Sequence, residues 1–370
     1  MRCTALFAAL ASHAAAVSVS GAAEGFAKGI TGGGSATAVY PSTNAELITY
    51  LKDSSPRVIV LSKTFGSPTP RALDRAASLP STRVTGAPTT SRVRHLLLDN
   101  AGMLGMTVAS DKTIIGEGSS GVIKGKRLRF VSGASNIIIQ YLSETSPSRI
   151  STPNKSGVEM PSPSTTPTWC GLITLRMKTY TARIGRQHIV LGTDASKRVT
   201  ISNSYINGKT DYSVTCDGYH YWGIYLAGSS DLVTMKGNYI YHTSGRSPKV
   251  QGNTLLHAVN NYCYDSSGRS FEIGSGGYIL AEGNVFQNIP TVVESPIEGQ
   301  LFSSPSTSAN QVCSTYLGRV CQVNGSGSSG TFSQVDTAFL TNLSGKNIAS
   351  ASAYSVVQLS VPSNAGQGKL

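Results

Sequence analysis

Gly237-Asn238-Tyr239-Ile240-Tyr241, Val259-Asn260-Asn261-Tyr262 and Gly283-Asn284-Val285-Phe286 decide the fold. Each sets an asparagine beside a short β-forming run, and Asn238, Asn261 and Asn284 stand 23 residues apart. Asn136-Ile137-Ile138-Ile139 and Ile201-Ser202-Asn203-Ser204-Tyr205-Ile206 extend the pattern upstream, with Asn203 placed 35 residues before Asn238. Short strands recurring at about 20–35 residues mark a solenoid. In a parallel β-helix each coil supplies short strands and turns, and stacked coils bury a narrow core. Stacked asparagines can hydrogen-bond along such a ladder. Asparagine as an ordinary turn residue accounts for one or two occurrences and explains the spacing poorly.

Outward from these repeats, the chain is rich in Gly and in short Val, Ile, Thr and Tyr runs, and few segments have helical period, so the class is all-β. A β-sandwich is the alternative on pattern alone. The 370 residues suit two average domains or one long solenoid, and nothing reads as a linker between two cores. A solenoid needs covered ends. Asn44-Ala45-Glu46-Leu47-Ile48-Thr49-Tyr50-Leu51 has helical spacing after Ser42-Thr43, a cap signal, and lies in the 23–62 region expected to cover the N-terminal end.

Arg2, the apolar run Ala5–Ala11 and the small residues Ala14-Ala15-Ala16 read as a secretory signal over residues 1–16, with cleavage near Ala16 or up to about residue 20. The run is too short to span a bilayer. Residues 17–370 then form one domain of an extracellular protein. Cys313 and Cys321 bracket a short loop and are expected to pair in an oxidising compartment, whereas the sequence gives no ground for pairing Cys216 with Cys263. No Cys or His spacing suggests zinc and no loop has EF-hand spacing, so no metal or other cofactor is expected. Asn154, Asn324 and Asn342 head glycosylation sequons. A net charge of +12 suits nucleic acid or an anionic polysaccharide. Its distribution weakens both readings, because residues 65–98 carry a net +4 and residues 141–180 a net +2, in Pro/Ser/Thr/Arg-rich stretches unlike the rest.

Tyr241-His242-Thr243-Ser244-Gly245-Arg246-Ser247-Pro248-Lys249-Val250 puts a guanidinium and an ammonium three residues apart on a short loop after a strand-like run. Two fixed cations suit a carboxyl-bearing substrate, and a solvated basic turn is the plain alternative. Together with Gly116-Glu117-Gly118-Ser119-Ser120-Gly121, Asp217-Gly218-Tyr219-His220-Tyr221-Trp222 and the run from Asn253 to Tyr262, this loop resembles the fungal pectin lyases, polysaccharide lyases built as right-handed parallel β-helices. The resemblance covers about residues 17–64, 100–140 and 181–370.

Where the resemblance lapses, codons built from the last base of one residue and the first two of the next restore it. Met160-Pro161 must then read alanine and Trp169-Cys170 must read valine, and the stretch from Lys155 to Leu175 can spell a family-like WGGD segment. Residues 79–91 behave the same way. About residues 67–97 and 142–178 therefore read as out of frame, with disordered insertions as the alternative.

The resemblance implies β-elimination on methyl-esterified α-1,4-galacturonan and plant cell-wall pectin as the partner, with no nucleic acid or membrane, the protein acting as a monomer. It implies Arg246 as the base, Lys249 as a partner that binds the carbonyl oxygen and raises the local positive charge, and Arg186 as a further cleft arginine in place of a calcium-binding carboxylate. Asp217–Trp222 reads as an aromatic wall in which Trp222, Tyr219 and Tyr221 face sugar, while His220 is either a contact or a satisfied internal histidine. Cys263 stands where the family carries tryptophan, so one aromatic is missing, and Arg269-Ser270 replaces a His-Ala pair. A calcium-dependent pectate lyase and a non-catalytic pectin-binding β-helix are the alternatives.

Overall fold

The computed structural model describes residues 18–66, 106–124, 128–130, 134–145, 174–182, 187–211 and 213–368. The expected signal segment, Asn154, Arg186, residues 67–97 and most of 142–178 lie outside the described residues.

The strands run parallel and stack coil upon coil. In one column Val199, Val233, Leu256, Ile279 and Leu301 are register partners, all fully buried. A second column places Ile206, Ile240, Cys263 and Phe286 side by side, and a third aligns Leu191, Leu226, Val250 and Ile273. These columns enclose a narrow apolar core, and removing that surface from water drives the stacking. The first two columns belong to a 17-stranded sheet and the third to a five-stranded sheet, the architecture of a right-handed parallel β-helix. The five strands of the short sheet are Ile189–Leu191, Ile224–Leu226, Lys249–Val250, Arg269–Ile273 and Thr291–Val293.

The long sheet turns a corner at the asparagines. Asn238 donates from N and Nδ2 to Asn261 Oδ1 at 3.0 and 2.8 Å. Asn261 repeats this towards Asn284 at 2.9 Å twice, and Asn284 towards Asn324 at 2.7 and 3.0 Å. Asn203 is not a rung. It occupies the preceding left-handed position (φ +46°), the place held by Gly237, Asn260 and Gly283 in later coils. Ser204 is the rung, its N–H donating to Asn238 Oδ1 at 2.9 Å. Adjacent left-handed and ladder positions both favour asparagine, which is why sequence alone merged them.

Coil length explains where the loops are. Register partners Leu232 and Leu255 lie 23 residues apart, whereas Arg198 and Leu232 lie 34 apart. The surplus is the excursion between Asn207 and Ile224 that carries Asp217–Trp222. The step from Asn284 to Asn324 is 40 residues, and its surplus holds the disulfide Cys313–Cys321, with Cα atoms 5.6 Å apart. Cys216 and Cys263 are free thiols.

The helix Asn44–Lys52 forms as expected, with Thr43 Oγ1 accepting from Glu46 N at 3.1 Å, and it lays Leu47 and Leu51 over the end of the core. The C-terminal helix Tyr354–Asn364 packs Val357 and Val361 along the outside of the solenoid, against Tyr262 and Val285. No helix among the described residues is long and apolar enough to cross a membrane.

Candidate active site

The loop between Tyr239–Tyr241 and Lys249–Val250 is held in an unusual path. His242 and Arg246 both have left-handed backbone angles (φ +58° and +50°), which cost a non-glycine residue about 1–2 kcal/mol each. Neighbouring coils fix that path. Ile224 N donates to Arg246 O at 2.6 Å and Ser247 N to Ser270 O at 2.9 Å. Gly223 permits the approach, since a Cβ there would lie 2.2 Å from Ser247 Oγ and 2.7 Å from Arg246 O.

Arg246 and Lys249 come together, and a third group comes with them that sequence reading missed. Glu272 stands beside Lys249 in register on the next strand. Its Oε1 accepts from Lys249 Nζ, and its Oε2 from Arg246 Nε at 3.2 Å. Arg269 adds a further guanidinium, with Nη2 3.7 Å from Glu272 Oε2 and Nε 2.7 Å from Glu294 Oε2. Burial pushes the Glu272 carboxyl up. The hydrogen bond from Lys249 and the charge of Arg246 outweigh that and hold it below the usual carboxylate range. Lys249 was expected to raise the local positive charge around Arg246 and to bind a carbonyl oxygen; between the two cations the structure also places a carboxylate that contacts both.

The aromatic residues divide. The Tyr221 ring lies under both guanidiniums, with Arg246 Cζ at 5.4 Å and Arg269 Cζ at 5.6 Å from its centroid, and its hydroxyl accepts from Arg269 Nη2 at 2.9 Å. Such cation–π contacts fix a guanidinium plane as well as attract it. Trp222 is half-buried, edge-on to Tyr221 at 5.9 Å. Tyr219 stacks on His242 at 3.6 Å and donates to Asp265 Oδ1 at 3.0 Å, while His242 Nδ1 lies 2.8 Å from Asp265 Oδ2. His220 is buried, edge-on to His188 at 4.8 Å, so it is an internal histidine. Cys263 points into the core, where burial pushes its thiol up to about 12. The aromatic missing at this position is therefore one of the core column, not of the wall that carries Tyr221 and Trp222.

Asp217 pins the aromatic excursion. It accepts from Thr215 Oγ1 at 2.6 Å, Tyr219 N at 2.9 Å and Ser267 Oγ at 2.8 Å. Burial pushes its carboxyl up, but these bonds prevail and hold it down at about 2. Among the described residues no group of three or more His, Cys, Asp or Glu side chains could hold a metal ion. A separate cavity of about 600 Å³, lined by Ile30, Thr31, Ala36, Val58 and Ile138, lies at the N-terminal end of the solenoid, apart from these charged groups.

The arrangement offers fixed, partly exposed cations along the short sheet. The two terminal nitrogens of Arg246 hydrogen-bond to no described residue, so they can meet an incoming group while Nε stays anchored.

The family profile described as pectate lyase matches residues 2–370. A protein named probable pectin lyase A from Neosartorya fischeri is 63% identical, covering 96% of this chain and 96% of that one. Pectin lyase B from Emericella nidulans is 61% identical, covering 99% and 98%. Among solved structures, a pectate lyase from Bacillus sp. N165 in complex with trigalacturonate superposes with a TM-score of 0.58 at 15% identity, covering 94% of this chain and 99% of that one. A pectate lyase bound to a hexasaccharide gives 0.57 at 14%, covering 94% and 97%. At those identities the solved structures speak for the fold alone.

Proposed function

The chain belongs to the pectate lyase family, and from that premise we propose that it is a pectin lyase, cleaving methyl-esterified α-1,4-galacturonan by β-elimination. The observation that carries the site assignment is the Arg246–Glu272–Lys249 bridge on the short sheet. In this reading Arg246 first gives up its own guanidinium proton and, as the neutral guanidine, takes the C5 proton; the C5–H electron pair becomes the C4–C5 double bond, and the C4–O4 bond breaks with its electrons leaving on O4, which takes a proton from water. The acidity of C5 comes from the neighbouring ester. Lys249 faces the carbonyl oxygen, where negative charge develops in the transition state, and an ammonium placed there stabilises that charge more than the ground state. Tyr221 holds the guanidinium plane, and Trp222 offers a flat face to a sugar ring. Arg186 is a further substrate-binding residue in this proposal.

The protein is secreted after loss of residues 1–16 and works as a monomer on cell-wall pectin. Glycosylation fits Asn342, which is exposed. It does not fit Asn324, whose Nδ2 donates to Ala281 O at 2.9 Å and to Ser303 O within the ladder.

The test is product chemistry. Highly methylated pectin should yield chains with a 4,5-unsaturated end, read by ultraviolet absorbance, in proportion to new reducing ends and unaffected by a calcium chelator. New reducing ends without that absorbance would replace elimination by hydrolysis. Loss of activity in chelator with preference for unesterified substrate would replace this reading by a calcium-dependent pectate lyase.

A further inference from the structure

Glu272 is the hub of the cationic cluster. Its two oxygens contact Lys249, Arg246 and Arg269, and Glu294 takes the remaining side of Arg269. Three cations thus face two carboxylates. A cluster of bare cations would draw a free uronate strongly, because a guanidinium pairs with carboxylate through two parallel hydrogen bonds. Here the nearest carboxylate oxygens already belong to the protein. An incoming free carboxylate must displace Glu272 or sit beside it, like charge against like. A methyl ester brings no charge, so it can approach the Arg246 terminal nitrogens and the Lys249 ammonium without that repulsion.

We propose that Glu272 is a positioning and specificity-determining residue: it fixes Arg246 and Lys249 relative to each other, and its charge turns the site away from free galacturonate towards the methyl ester. This rests on the reading that the site takes galacturonan. Contact geometry supports the first role. Lys249 and Glu272 are register partners on a sheet, so backbone pairing holds the carboxylate in place, and Arg246 is gripped at Nε, which leaves its terminal nitrogens without a partner among the described residues. Charge supports the second, since like-charge juxtaposition is a strong means of rejecting a wrong partner.

The experiment compares wild type with Glu272→Gln, Glu272→Asp and Glu294→Gln. Binding of methyl-esterified and unesterified hexagalacturonate is measured by calorimetry, and turnover is measured on highly methylated pectin. Glu272→Gln keeps shape and loses charge. Its affinity for the unesterified ligand should rise about tenfold relative to the esterified one, equivalent to about 1.4 kcal/mol. Its kcat should fall about tenfold or more with KM little changed, as expected when an aligned group loses its anchor. Glu272→Asp keeps charge but shortens reach, so discrimination should persist while kcat falls. Glu294→Gln makes the same charge change away from Arg246 and Lys249, and it should shift discrimination less than Glu272→Gln. An unchanged binding ratio in Glu272→Gln would overturn the specificity role, and wild-type kcat in Glu272→Asp would overturn the positioning role. If Glu272→Gln does not fold, loss of discrimination in Glu272→Asp overturns the specificity role. Absence of unsaturated product from wild type would instead count against the lyase reading, and the binding ratios would still judge Glu272.

Discussion

Lys249 and Glu272 stand opposite one another on adjacent strands, 23 residues apart in sequence, and their side chains form an ion pair. The pair fixes an ammonium beside Arg246, which is where the proposed reaction develops negative charge. Lys249→Met should therefore lower kcat on highly methylated pectin by about 100-fold, the cost of one charge-stabilising donor. Initial rates compared with binding of esterified oligomer check this. A variant with full kcat and weakened binding would reduce Lys249 to a ground-state contact.

The asparagine ladder carries a second expectation. Asn261 receives N–H groups from Asn238 and donates to Met235 O at 2.8 Å and to Asn284. Asn261→Ala strands several buried polar groups at about 1–3 kcal/mol each, so a loss of at least 3 kcal/mol in denaturant unfolding is expected. Asn203→Gly, at a left-handed position outside the ladder, should change stability by less than about 1 kcal/mol. Equal losses in the two variants would contradict the separation of the two roles.

The same 23-residue spacing shows what sequence carried and what it hid. The period of Asn238, Asn261 and Asn284 was legible and led directly to the solenoid. Applied to charged side chains, it would also have found the missed partners, since Lys249 leads to Glu272 and His242 to Asp265, each 23 residues on. Glu272 was not legible because an isolated Phe-Glu-Ile stretch reads as ordinary strand and its cationic partners lie a full coil upstream. The destination of Tyr219 and Tyr221 was not legible either. An outward ring and an inward one look alike when a long excursion interrupts the alternation. Arg246 and Lys249 were readable because they share a single loop.

Stability at acid pH should follow two buried carboxyls of opposite sign. Burial pushes Asp231 up to about 6 from 3.8, offset only in part by N–H groups of Ser196 and Lys197. Its folded form binds a proton more tightly than its unfolded form, so this contribution is full below 3.8 and lost as pH rises through 6. Glu282 is also pushed up by burial, but Arg319 and His257 prevail and hold it at about 2 from 4.5, so its contribution is present above 4.5 and lost as pH falls towards 2. Asp231→Asn should flatten the decline in thermal midpoint between about pH 4 and 6. An unaltered profile in that variant would remove Asp231 from the account.

Arg319 meets Glu282 through both terminal nitrogens, at 2.8 and 2.6 Å, and ties the disulfide-bearing excursion to the solenoid. Arg319→Ala leaves a buried carboxylate with only His257 and the Gln322 N–H as partners, and about 3 kcal/mol of destabilisation at neutral pH is expected. The loss should shrink when the unfolding is repeated near pH 3, where protonation relieves the unpaired charge. A loss that is the same at both pH values would assign it to packing.

Residues 67–97 and 142–178 make a prediction at the level of the gene. A chain carrying those segments in the alternative frame should release unsaturated product faster than the present one, because cleft-lining sequence of the family pattern would return. Equal rates per mole would deny the segments a functional consequence.

The most direct measurement is the rate of unsaturated-end formation on highly methylated pectin by Arg246→Lys, set against its parent chain in both frames, with circular dichroism confirming the fold. Lysine keeps the charge and loses the forked guanidinium that Glu272 grips at Nε. The account predicts a fall of about 100- to 10,000-fold, the range for losing a general base. Parent-like elimination by Arg246→Lys would contradict it.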